Sequence, residues 1–189
     1  MSPDTRPHNR EKVHREEDSD SSAYDPNLLS QSTISYESHG AVISNARLLN
    51  AQGSIVNILQ RGKPYVFTYD VRFNTPLQGV RFSFLLKTVR GIELGGIASN
   101  PDSFATSDFA AGTVVTASFP FKCLLTADQY FLNAGVLTTI NGEDVFAHRI
   151  LDLHTFHVQP VAQDTVTGVI DFGVEQAISI VHHQEEIRS

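Results

Sequence analysis

The sequence has no tryptophan, one methionine and one cysteine among 189 residues. A lone Cys123 excludes an intrachain disulfide and a thiolate metal cluster, and is read as a small buried apolar residue without redox chemistry. No apolar stretch approaches the roughly 18 residues a membrane-spanning helix needs, and the charged N-terminus lacks the apolar segment of a signal peptide. The expectation is a soluble, cytoplasmic protein with no direct membrane insertion. Positive charge is also scarce: 14 Lys and Arg against 21 Asp and Glu give a net charge of −7. That sign is wrong for gripping phosphate backbones by counterion release, so nucleic acid is not an expected partner. GxSxG, the P-loop, HExxH and a GxGxxG at a strand-to-helix turn are all missing, and no catalytic residue, metal site or cofactor is expected.

What is present suffices for one domain. Hydrophobic residues make up 41% of the chain, with 12 Phe and 5 Tyr, enough to form a core. Residues 1–40 hold four Lys or Arg, eight Asp or Glu and no Phe, and include REEDSDSSAYDPN. Such a segment has too few apolar groups to offset its ordering entropy, and it is expected to be a charged flexible linker. A short solvated helix starting at residues 15–20 is the alternative. A linker ahead of a compact domain suggests the C-terminal part of a longer polypeptide. Residues 41–181 then form the domain and 182–189 a polar tail.

From residue 41 the hydrophobic period is two, as in half-buried antiparallel strands. Tyr65, Phe67, Tyr69, Val71 and Phe73 alternate with Val66, Thr68, Asp70 and Arg72. Phe82, Phe84 and Leu86 alternate with Arg81, Ser83, Leu85 and Lys87, and a hairpin turn TVRGIE follows. Further strands are predicted at 41–50, 54–59, 92–99, 113–122, 129–140, 144–151, 154–159 and 167–180, separated by NAQG, QRGKP, NPDS and NGED. The result is an all-β antiparallel sandwich with Phe67, Tyr69, Phe82, Phe84, Leu132 and Val136 in its core.

Few residues carry catalytic promise. His154 and His157 form an HxxH, but residues three apart on a strand face opposite ways and reach one metal only through a bulge. His182 and His183 sit near a polar terminus and are read as solvated. His148, beside Arg149, is either a donor to a sugar hydroxyl or a surface histidine without a role. Glycoside hydrolysis requires two carboxylates about 5–10 Å apart, and nothing pairs the central candidates Asp70, Asp152 and Asp171.

A binding face is better supported. If Tyr130, Leu132, Ala134 and Val136 point inward, then Phe131, Asn133, Gly135, Leu137 and Thr139 point outward, beside the outward row Arg81, Ser83, Leu85 and Lys87. Together with His157 these rows offer the hydrogen-bonding groups and apolar surface that suit sugars. The expected carbohydrate-binding residues are Arg81, Ser83, Lys87, Phe131, Asn133, Thr139 and His157. Two alternatives stand beside this: the row is covered by a neighbouring subunit, or the site lies on the opposite sheet around Asp70 and Arg72.

Four stretches, in order, carry a family resemblance: ISNARLLNAQGSIVNILQRGKPYVFTYDV, VRFSFLLKTVRGIELGGIAS, GTVVTASFPFKCLLTADQYFLNAGV, and TFHV followed by GVIDFGVE. Across residues 42–175 the chain resembles the C-terminal carbohydrate-binding domain of Wzt, the nucleotide-binding protein of ABC transporters that export O-antigen polysaccharide. The third stretch departs from the family pattern by having Asp128 and Gln129 where a Gly is usual. The resemblance implies an immunoglobulin-like sandwich that binds the polymer without cleaving it. It also implies a homodimer with an exchanged C-terminal strand, and association with a transporter cassette and membrane subunit at the inner membrane. Gly168–Val181 alternates well enough to be that strand, and the connector QPVAQDT is long enough to reach a partner. The cassette is not in this chain, so no ATPase activity is expected of it. The competing reading is a structural or protein-interaction sandwich that dimerises by strand exchange.

Overall fold

The computed structural model describes residues 23–100, 107–175 and 177–179. Nine strands are found among them: β1 (Ile34–Ser35), β2 (Ala41–Asn50), β3 (Ile58–Leu59), β4 (Pro64–Phe73), β5 (Arg81–Thr88), β6 (Glu93–Ala98), β7 (Val114–Lys122), β8 (Gln129–Ile140) and β9 (Glu143–Val158). The larger sheet runs β1-β9-β8-β5-β6, with β3 joining β9 in parallel, and the smaller runs β2-β4-β7. All other ladders are antiparallel. No helix among the described residues is long and apolar enough to cross a membrane. The fold is the all-β sandwich that the alternation requires.

The period-two rows meet between the sheets. Tyr65, Phe67, Tyr69, Val71 and Phe73 of β4 are buried against Phe82 of β5 and Tyr130, Leu132, Ala134 and Val136 of β8. Tyr69 stacks on Phe119 at 5.7 Å, Phe119 lies 5.1 Å from Phe84, and Phe73 stacks on Phe109 at 4.7 Å. Phe84 is only partly buried, because it lines an apolar cleft of about 810 Å³ between the free edges of β6 and β7. Cys123 is buried and free, with burial raising its thiol pKa.

Three expectations need correction. Residues 144–151 and 154–159 are one strand, β9; it is bent at Asp152, whose φ of 51° is a left-handed conformation that Asp tolerates better than most side chains. Residues 23–39 are not a free linker. Ala23 bridges Ile58, Asn57 exchanges two 2.7 Å hydrogen bonds with Asp25, β1 pairs with β9, and Tyr36 N–H donates to the Arg149 carbonyl at 3.0 Å. The backbone of this segment gains partners along an otherwise open edge. Finally, no strand forms over the described part of 167–180. Ile170 makes one bridge to Leu125, and beyond Asp171 the side chains of Phe172, Val174 and Ile178 are 83%, 85% and 85% exposed. Two backbone hydrogen bonds flank the bridge, Thr126 N–H to the Val169 carbonyl at 2.9 Å and Asp171 N–H to the Leu124 carbonyl at 2.6 Å.

Candidate functional site

The outward residues of β5, β6, β8 and β9 form a shallow trough of about 280 Å³ on the larger sheet. Its floor is the paired Ser83 and Gly135, continued by Arg149 on β9 and Ala98 on β6 in the same register. A Cβ on Gly135 would stand 2.6 Å from Ser83 Oγ and 2.8 Å from the Phe146 ring, and one on Gly96 would collide with the Phe84 carbonyl. Both positions therefore require glycine, and at Gly135 the missing side chain lets the Phe146 ring pack down onto the sheet. Phe146, 41% exposed, and Arg149 form one wall; Leu85 and Ile97 form the other. The Arg149 guanidinium lies 4.9 Å over the Phe146 ring, a cation–π contact.

The floor is pinned from below. Tyr69 rises from β4 through the core, and its hydroxyl lies 2.9 Å from the Ser83 carbonyl and 3.0 Å from the Gly135 carbonyl, donating to one while accepting the Ser83 N–H at 3.1 Å. Burial holds the phenol pKa well above its ordinary value, so the hydroxyl keeps its proton and its role as donor.

The structure brings together only some of the residues the sequence nominates. Ser83 and Asn133 line the trough. Arg81 stands in the adjoining row, ion-paired with Asp144. Lys87 and Phe131 lie on the same face but are closed off: Lys87 Nζ binds Asp152 at 2.6 Å and sits 5.9 Å from the Phe131 ring centroid. Ser32 Oγ donates to the same carboxylate at 2.6 Å, and Thr33 Oγ1 donates to the Asp152 carbonyl at 2.8 Å. Phe131 is 8% exposed and Asn133 5%, the latter accepting the Asp152 N–H at 2.8 Å. Alternation assigns the face correctly, and the N-terminal segment covers part of it. Thr139 is exposed at the β8–β9 hairpin, and His157 lies towards the far end of β9, half-buried.

Phe146 and Arg149 escape the sequence reading because residues three apart on a regular strand face opposite ways. A register shift opposite Val136/Leu137 inserts one extra residue, so Ala147 and His148 both turn inward while Phe146 and Arg149 both turn outward. His148 is therefore buried rather than available to a sugar. Its Nδ1 accepts the Ile43 N–H at 3.0 Å, which puts the ring proton on Nε2, 3.3 Å from Ser35 Oγ, and burial lowers its pKa. His154 faces the core beside Phe67, and burial pushes its pKa down to about 4. No group of three His, Cys, Asp or Glu among the described residues is placed to hold a metal.

On the smaller sheet, Asp70 accepts from Asn45 at 2.9 Å and Thr116 at 2.7 Å, with Arg47 at 3.7 Å. These hydrogen bonds hold its carboxyl below the usual range. They also occupy both carboxylate oxygens; the concavity on this sheet, about 310 Å³, lies at its other end, lined by Tyr65, Val66, Pro120 and Phe121.

A family model described as the Wzt C-terminal domain matches residues 32–172. A crystal structure of the C-terminal domain of Wzt superposes with a TM-score of 0.71 at 21% identity, covering 80% of this chain and 92% of that one. An alkylpurine DNA glycosylase from Pseudomonas fluorescens (TM-score 0.38, 10% identity, 64% of this chain and 30% of that one) carries no argument. Nor does a family 123 glycoside hydrolase from Clostridium perfringens (0.37, 10%, 68% and 28%). No curated protein sequence matches the chain. A family match over well over half of the sequence, on a fold shared along nearly the whole of the Wzt domain, places the chain in the Wzt C-terminal domain family.

Proposed function

We propose that this chain is a non-catalytic module that binds O-antigen polysaccharide in the trough of the larger sheet. In this role it selects the completed glycan for an ABC transporter at the cytoplasmic side of the inner membrane. The observation that carries the reading is the trough itself, within a domain of this family. It combines an exposed aromatic ring, a guanidinium and a hydroxyl around a glycine floor, which is what a pyranose needs for C–H stacking and hydrogen bonding. A binding role also fits the carboxylates. Asp152 is tied to Lys87, Asp171 to Arg61, and Asp70 lies on the other sheet, so these three do not flank one trough as paired glycosidase carboxylates would.

Self-association belongs to the same proposal. The exposed Phe172, Val174 and Ile178 and the apolar cleft between β6 and β7 are two open surfaces of one character. Exchange of the C-terminal segments between two copies covers both.

Calorimetric titration with the host's long-chain O-antigen tests the binding. Individual contacts of this kind contribute on the order of 0.5–1.5 kcal/mol, so Phe146→Ala is expected to weaken binding severalfold while the melting temperature hardly moves. Undiminished affinity in that variant would remove the trough from consideration.

A further inference from the structure

The cations on this face are not equivalent. Arg81 is neutralised by Asp144 and Lys87 by Asp152. Arg149 has no carboxylate partner among the described residues; its guanidinium lies instead over the Phe146 ring. Stacking on the ring leaves the planar N–H fork of the guanidinium in its own plane, free to meet two oxygens at once. The register sets Arg149 and Ser83 on either side of Gly135. Two strand spacings put their backbones about 10 Å apart, with the Phe146 ring against Gly135 between them, so a pyranose would rest on the exposed side of that ring.

We propose that the trough reads an acidic sugar: a pyranose bearing a carboxylate or phosphate, its anion paired with Arg149 and its C–H surface against Phe146 and Ile97. The inference rests on the glycan-binding reading and narrows its substrate class. The chain's net charge of −7 opposes anions in general. Recognition is therefore local to this guanidinium, where apolar walls strengthen a charged hydrogen bond.

The test uses the full chain, labelled at arginine Nε, with three probes: a tetrasaccharide of galacturonic acid, its carboxyl-reduced galactose counterpart, and inorganic phosphate. The acidic tetrasaccharide is expected to bind about tenfold more tightly than the reduced one, as one added charge-assisted hydrogen bond implies, and to shift the Arg149 Nε–H resonance. Arg149→Gln should bring the affinity ratio close to one, and Arg149→Lys should keep part of it. Equal affinities in the wild type, a ratio unchanged in Arg149→Gln, or binding of neither tetrasaccharide overturns the acidic preference. Phosphate alone matching the acidic tetrasaccharide also overturns it, by showing a simple anion site. If long-chain O-antigen binds in any of these cases, the glycan-binding reading survives; if it too fails to bind, that reading falls as well.

Discussion

Tyr69 joins core and surface in one side chain. Its ring is packed between the sheets, and its hydroxyl satisfies backbone groups of Ser83 and Gly135 at the trough floor. Tyr69→Phe keeps the volume and strands the Ser83 N–H, which should cost about 1–3 kcal/mol. Binding should fall more than it does in a core variant of equal stability loss, because only this change loosens the floor. Comparing calorimetry and chemical denaturation for Tyr69→Phe and Leu132→Val makes the distinction. The two inward histidines add a pH dependence. Burial lowers the pKa of both His148 and His154 below the ordinary 6.5, the second to about 4. As pH falls through 6.5 the unfolded chain takes up protons that the folded chain refuses, so stability is full above that point and declines towards pH 4. His154 contributes up to about 3 kcal/mol of the decline. Denaturation midpoints from pH 7.5 to 4.5 should trace this fall, and His154→Leu should flatten it.

At the scale of elements, alternation alone reveals β4, β5 and β8, because each has one buried face and a register that cannot slip without exposing it. The same rule places Ser83 and Asn133 on the outward face that carries the trough. It fails on β9. Two irregularities there, the shift opposite Val136/Leu137 and the left-handed Asp152, come from backbone geometry that leaves no periodic trace in the sequence. The first hides the Phe146–Arg149 pair and makes His148 look like a surface residue. The second makes one strand look like two. The N-terminal segment is misread for another reason: its contacts with β9 are polar and backbone-mediated, whereas a composition argument counts apolar groups. Asp152 holds that segment through Ser32 and Thr33. Asp152→Ala removes the carboxylate that binds Ser32 Oγ and Lys87 but keeps the carbonyl that Thr33 uses, and is expected to cost roughly 1–3 kcal/mol, as for a lost hydrogen bond to a charged group. It should also speed amide exchange at Tyr36 and its neighbours; unchanged exchange there would show that β1 is held by its ladder alone.

For the molecule as a whole, the decisive boundary is Asp171. Up to that residue the connector is fastened to its own domain. Arg61 makes two hydrogen bonds to Asp164, at 2.7 and 2.8 Å, and approaches Asp171 at 3.3 Å, while Ile170 packs on the core beside Leu125. After it, Gly173 N–H donates to the Asp171 side chain at 2.8 Å and the apolar residues stand in solvent. Two truncations separate the roles of these stretches. Stopping after Asp171 removes the exposed segment and preserves the fastening, so the proposed exchange is lost without damage to the fold. The expected product is a folded monomer by light scattering, with an unfolding midpoint equal to that of the full chain diluted to monomer. Stopping after Gln163 also uncovers the surface around Leu125, which should cost about 1–3 kcal/mol further, and opens an apolar edge prone to aggregation. If the chain ending at Asp171 stays dimeric at the same concentration, the dimer contact lies elsewhere on the sandwich and the exchange is rejected.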